Sequence, residues 1–166
     1  HGYGTKILSY SIEQLQAENY EFRFIGRLSK DVRDTIQKHK LTNVKLIGQV
    51  QHFELEKYYL ETDIGVVLYK DTGLNYRYCA PNKLYEYWSY GIPVIGDLLP
   101  GLISAFKNEN LGTLIDMQSP KNILNAIRQI SYNHATKVEV KDYFAKHLKL
   151  DIYLNQLLQK LQPKAL

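Results

Sequence analysis

Asn82, Lys83 and Glu86 stand close together in the stretch APNKLYEYWSYGIPVIG, residues 80–96, which is otherwise mostly aromatic and apolar. On a helix starting near Asn82, residues three and four apart share a face, so Asn82, Lys83, Glu86 and Tyr90 project to one side. Leu84, Tyr87 and Trp88 project to another. Free N–H groups and the positive end of the dipole make such a helix start favourable to an anion such as phosphate. Lys83 strengthens that preference, whereas a carboxylate one turn further on suits a pair of ligand hydroxyls. A diphosphate beside a ribose offers both. The same residues also have a purely structural reading, in which Pro81 opens the helix, Asn82 lies near its cap and Glu86 balances Lys83 or the dipole.

Other candidate chemistry is weaker. HGYG at the amino end has two glycines, Gly2 and Gly4, ahead of a helical pattern and could cradle phosphate, but no strand precedes it. GRLSK places Arg27 and Lys30 after a strand, where a solvated loop is the simpler reading. Ser89 lies inside a helical pattern, Cys79 has no histidine at informative spacing, and no glycine-flanked serine elbow occurs. His1, His39, His52, His134 and His147 are scattered without metal-ligand spacing. The pattern is that of a binder rather than of a covalent catalyst.

The elements around these residues alternate. Ile7, Leu8, Ile12 and Leu15 have helical spacing, and NYEFRFIG then reads as a strand closed by Gly26. SKDVRDTIQKHKL predicts a helix, NVKLIGQV a strand and HFELEKYYLETD a helix. IGVVLY, an apolar run, predicts a strand covered on both faces, as in a parallel sheet. A loop from Lys70 to Pro81 leads to helix Asn82 to Tyr90, strand Pro93 to Gly96, helix Gly101 to Lys107, strand Leu114 to Asp116 and helix Pro120 to Ile130. Strand and helix in turn predict a doubly wound, mostly parallel α/β sheet with helices on both faces. Ligands of such sheets sit beyond the carboxyl ends of the strands. NHATKVEVKD reads as a linker, and Leu154, Leu157, Leu158 and Leu161 form an apolar stripe on a terminal helix.

Composition bounds the rest. The 166 residues, 45% hydrophobic and 23% charged, suit one soluble domain with a substantial core. A formal charge of +4, spread along the sequence, favours anionic small ligands or a membrane surface slightly and gives no footprint for nucleic acid. Cys79 is the only cysteine, so the expected home is a reducing cytoplasm. No apolar run approaches the roughly 20 residues of a membrane span, and no signal-peptide layout is present. Fourteen tyrosines could present a sugar- or base-binding surface, although most have a simpler place filling the core.

NVKLIGQVQHFELEKYYLETDIGVVLY followed by PNKLYEYWSYGIPVIGDLLPGLISAFKNENLGTLID resembles the C-terminal, donor-binding half of a GT-B glycosyltransferase of the family 4 type. The resemblance spans most of residues 1–131, read as a Rossmann-like nucleotide-sugar-binding domain, with residues 132–166 a helical extension. It implies that Glu86 grips the ribose, that the helix start at Asn82, Lys83 and Leu84 meets the diphosphate, and that loops at Gly26 to Arg27 and Gly48 to Val50 border the base. Gly2 and Gly4 would correspond to the glycine-rich loop after the domain's first strand, with Lys6 a phosphate contact. That strand is not in the sequence, so the sheet is expected to begin late. Where many members carry a sugar-holding glutamate, this sequence has Tyr78.

The resemblance further implies a retaining, hexosyl-type transfer from a nucleoside-diphosphate sugar to a glycan or lipid-linked acceptor, with no metal and no other cofactor. The role would be in cell-surface polysaccharide synthesis, in the cytoplasm or peripherally at the inner face of the plasma membrane. The catalytic half would be a separate N-terminal GT-B domain, so this chain alone would be inactive. Two alternatives remain at this level: a stand-alone α/β binding module, or a degenerate glycosyltransferase domain without donor binding.

Overall fold

The computed structural model describes residues 12–16, 18–27, 30–69, 71–107, 109–116, 119–132 and 137–161. Among them the strands and helices alternate as the spacing predicts. β1 (Phe22–Ile25), α1 (Lys30–Lys38) and β2 (Val44–Ile47) come first, then a short 3-10 turn leading into α2 (Leu55–Leu60). β3 (Gly65–Val67), α3 (Leu74–Tyr78), α4 (Asn82–Ser89), β4 (Val94–Asp97), α5 (Pro100–Ala105) and β5 (Gly112–Ile115) follow. α6 (Pro120–Tyr132), α7 (Lys137–His147) and α8 (Leu150–Leu161) complete the order.

All strand pairs are parallel, and they form two sheets: β1 with β2, and β3–β4–β5 with β4 in the middle. Helices cover both faces of the second sheet. Successive strand residues point to opposite sides, so Ile95 joins Leu15, Ile115 and Ile123 in one apolar cluster, while Val94 joins Leu84, Trp88, Leu102 and Leu111 in the other. Every residue of β4 is buried. β3, expected to be covered on both faces, is covered at Gly65 and Val67 but only half-buried at Val66. The reason is its place at the edge of its sheet.

Two segments differ from their sequence reading. The loop Lys70 to Pro81 contains a short helix, α3, whose Arg77 is paired with Asp71 at 2.7 Å. The segment read as a linker is helical from Lys137 onward, and its Val140 is fully buried in the cluster that holds Trp88. Val138 and Val140, two apart among charged residues, do not follow a helical period, and tertiary packing decides the outcome. Gly91 makes that packing possible. It ends α4 with φ +77°, and a Cβ there would lie 2.1 Å from the Lys137 carbonyl oxygen of α7. The stripe Leu154, Leu157, Leu158 and Leu161 on α8 is exposed.

Candidate functional site

α4 begins where Pro81, with φ −72° and ψ 145°, hands an extended backbone to the helix. No side chain caps the start. The Leu84 N–H returns to the Pro81 carbonyl at 2.9 Å, so the amides left without an intrahelical acceptor in the first turn are those of Asn82 and Lys83. Both side chains are exposed, whereas Leu84 is fully buried and anchors the helix in the core.

Glu86 lies one turn on, half-buried. Its Oε2 accepts a hydrogen bond from the Tyr59 hydroxyl at 2.8 Å. Among the described residues no ion pair joins it to Lys83, so the partner that fixes the carboxylate is a tyrosine from α2 rather than the neighbouring lysine. Tyr59 is held in turn by a stacked contact with Tyr90, 4.9 Å between centroids, and an edge contact with Tyr87 at 5.6 Å. Burial, then the hydrogen bond to Glu86, keeps the Tyr59 hydroxyl well above its ordinary titration range, so it remains a donor at any working pH. A Cβ at Gly65 would lie 2.7 Å from the Tyr87 ring; the bare backbone of β3 is what lets α4 settle this close.

Lys83, Glu86, Gly26 and Val50 line one cleft of about 1410 Å³. Topology explains their meeting. Gly26 ends β1 and its N–H donates to the Ile47 carbonyl at 3.1 Å, which ties it to the end of β2, just ahead of Val50. α4 runs back from the carboxyl end of β3 toward the start of β4, so its first turn faces the same strand ends. Arg27 is exposed just beyond Gly26. Tyr78, 61% exposed on α3, is not among the cleft's lining residues. Gly2, Gly4 and Lys6 lie outside the described residues.

Two residues that sequence reasoning did not single out shape this end of the fold. One is Tyr59, whose partner stands 27 positions away and leaves no local signal. The other is Asp97, only 4% exposed at the end of β4, which accepts the Tyr69 N–H at 2.6 Å and so pins the backbone leaving β3. Burial raises its carboxyl to about 6, against the lowering effect of the Tyr69 N–H, with Asp116 adding to the rise. A carboxylate directly after an apolar strand was the available clue. Among the described residues no group of histidine, cysteine, aspartate or glutamate side chains could hold a metal ion, and no helix is long and apolar enough to cross a membrane.

The glycosyl transferases group 1 family model matches residues 3–133. The chain belongs to that family. No curated protein matches it by sequence. Solved structures show the fold: a glycosyltransferase from Rickettsia africae ESF-5 superposes with TM-score 0.76 at 14% identity, covering 99% of this chain and 46% of that one. A sucrose-phosphate synthase from Thermosynechococcus elongatus gives 0.71 at 21% identity, covering 96% and 42%. Anabaena Alr3699/HepE in complex with UDP gives 0.73 at 15% identity, covering 98% and 46%. This glycosyltransferase-family chain therefore spans less than half the length of these structures, and its parallel α/β architecture is that of the C-terminal-type half of a GT-B enzyme.

Proposed function

We propose that the chain binds the nucleoside-diphosphate part of a sugar donor, with Glu86 on the ribose and the first turn of α4 on the phosphates. The observation that carries this reading is the Tyr59–Glu86 pair in the cleft that Lys83 also lines. One carboxylate oxygen is fixed by Tyr59, which orients the other toward ligand hydroxyls, and the unspent amides of Asn82 and Lys83 stand one turn away. HepE, which shares the fold, has been seen with UDP and with UDP-glucose, and UDP is the natural first probe. In the whole protein the donor sugar would pass, with retention and without a resident metal, to a glycan or lipid-linked acceptor held by an N-terminal GT-B half. That is a cytoplasmic or peripheral membrane role in polysaccharide synthesis, and this half alone would be inactive.

Calorimetric titration with UDP and 2′-deoxy-UDP tests the ribose contact. Charge-assisted hydrogen bonds are worth about 1.5–3 kcal/mol, so Glu86→Ala should weaken UDP binding by roughly ten- to a hundredfold and erase the preference for the ribose form. Tyr59→Phe should weaken that preference partially. If Glu86 only complements the helix dipole, its loss costs about 0.3–1 kcal/mol of stability and leaves discrimination between the two nucleotides equal in wild type and variant. No UDP binding by the wild type at all would support the degenerate-domain alternative.

A further inference from the structure

α6 borders two separate spaces. Ile127 and Ile130 line the cleft that holds Lys83 and Glu86. On another side of the same helix, Asn122, Asn125 and Gln129 follow one another at three- and four-residue steps and so form one row. That row walls a groove of about 320 Å³, and β5 makes the opposite wall. No residue lines both spaces.

β5 contributes backbone as well as side chains. It is an outer strand of its sheet, paired with β4 alone. The Leu98 N–H donates to the Ile115 carbonyl at 3.1 Å, so Thr113 and Ile115 turn their backbone groups to β4. Leu114, between them, turns its N–H and C=O to the open edge. Thr113 adds a hydroxyl on the face of the sheet that α6 covers, where Ile115 packs with Ile123. At the end of the strand the Asn122 Nδ2–H donates to the Asp116 carbonyl at 2.7 Å, which fixes the first amide of the row. Among the described residues, the side chains of Asn125 and Gln129 have no hydrogen-bonding partner.

The chemistry of these groups selects a ligand. Amides and hydroxyls both donate and accept, as does the pair of backbone groups at Leu114. No lysine, arginine or histidine lines the groove, and its one ionisable side chain is acidic, Asp116, which disfavours a phosphate or other anion. No aromatic ring is there to stack on a base. An added peptide strand would find little ladder to extend, because β5 is four residues long and Asn122 already takes the Asp116 carbonyl. A sugar ring matches the set, since each of its neighbouring hydroxyls donates and accepts. The volume lies at the small end of the ~300–1,000 Å³ of ordinary ligand pockets, which suits a short saccharide.

We propose that the groove between β5 and α6 is a second binding site, which takes a short neutral saccharide on Asn122, Asn125, Gln129, Thr113 and the Leu114 backbone. It shares no residue with the cleft of Glu86, so the two sites fill independently and this inference does not rest on donor binding. Such a seat keeps a glycan on this half of the enzyme without blocking the donor.

The test titrates the nitrogen-15-labelled chain by NMR with maltotriose, cellotriose and mannotriose, and separately with the peptide acetyl-Thr-Val-Thr-Val-amide, each to about 10 mM. At least one trisaccharide should saturably shift the side-chain amides of Asn125 and Gln129 and the backbone amide of Leu114. Adding UDP should leave that affinity as it was, whether or not UDP itself binds. Asn125 and Gln129 are exposed helix positions where alanine is well tolerated. Asn125→Ala combined with Gln129→Ala should weaken the saccharide by about tenfold or more. The proposal is overturned by no shift at these amides with any of the three sugars, by shifts confined to Lys83 and Glu86, by competition from UDP, or by equal affinity in the double variant. Binding of the peptide at Leu114 in place of all three sugars would also overturn it and mark β5 as an edge for strand pairing.

Discussion

The two sheets of this domain are built from opposite materials. β3–β4–β5 is an apolar sheet whose middle strand is wholly buried and whose helices carry Leu84, Trp88, Leu102 and Ile123 against it. β1–β2 is thin and partly wet: Leu46 is 43% exposed, and Glu21, just ahead of β1, is paired with Arg23 at 2.5 Å and Lys45 at 2.6 Å. Arg23 also reaches Glu61 at 2.6 Å. The β3–β4–β5 sheet is specified by burial and β1–β2 chiefly by backbone pairing and surface charge. Removing area should therefore damage one half, and removing charge the other, to very different degrees.

Truncation gives the largest contrast. Trp88 is fully buried, and its Nε1–H donates to the Leu111 carbonyl at 2.8 Å. Trp88→Ala should cost about 3–5 kcal/mol in urea unfolding through cavity and lost hydrogen bond, while Leu46→Ala should cost under about 1 kcal/mol. Equal losses would break the comparison. Next comes pH. Asp97 has its carboxyl raised to about 6 from an ordinary 3.8, so between those values the folded chain holds a proton that the unfolded chain has lost. Stability from this group is highest below about pH 4, falls as pH rises through the window and is level above it. The change amounts to about 3 kcal/mol. Denaturation of wild type and Asp97→Asn at pH 4 and pH 7 should show wild type favoured by most of that, about 2 kcal/mol more, at the lower pH.

Glu21 has the opposite sign. Hydrogen bonds from Lys45 and then Arg23 hold its carboxyl below the ordinary 4.5, so its contribution is complete above that value and is lost as pH falls below it. The smallest effect belongs to the same network. Arg23→Ala should cost no more than about 1 kcal/mol, and the cost should shrink in high salt. A salt-independent loss of several kcal/mol would mean that the arginine stem, rather than its charge, supports β1.

Much of this was legible in the sequence where physics is local. Strand and helix periods located α4 and β4 to within one residue and β2 to within three, and the polar face of α4 stood out because Asn82, Lys83 and Glu86 interrupt an apolar run. What was missed depends on distant partners. Nothing near Tyr59 announces Glu86, nothing in KVEVKD announces that Val140 will meet Trp88, and the separation of the strands into two sheets depends on pairings that no short window contains. The short α3 was hidden because helical propensity is weak in LNYRY and its Arg77–Asp71 pair bridges a loop.

Trp88 is also the only tryptophan in the sequence. Its indole sits edge-on to Tyr85 and Phe106, away from the cleft that Glu86 lines. Intrinsic emission excited at the red edge therefore reports a single site inside the apolar sheet's core. A red shift on heating or in denaturant times the opening of that half, and is silent about β1–β2, which has no tryptophan to reveal it. The protein thus carries its own optical label on one half only. If the emission transition and the loss of far-ultraviolet circular dichroism occur at the same denaturant concentration, the two halves unfold as one cooperative unit; if they part, the wet half melts first and unseen by fluorescence.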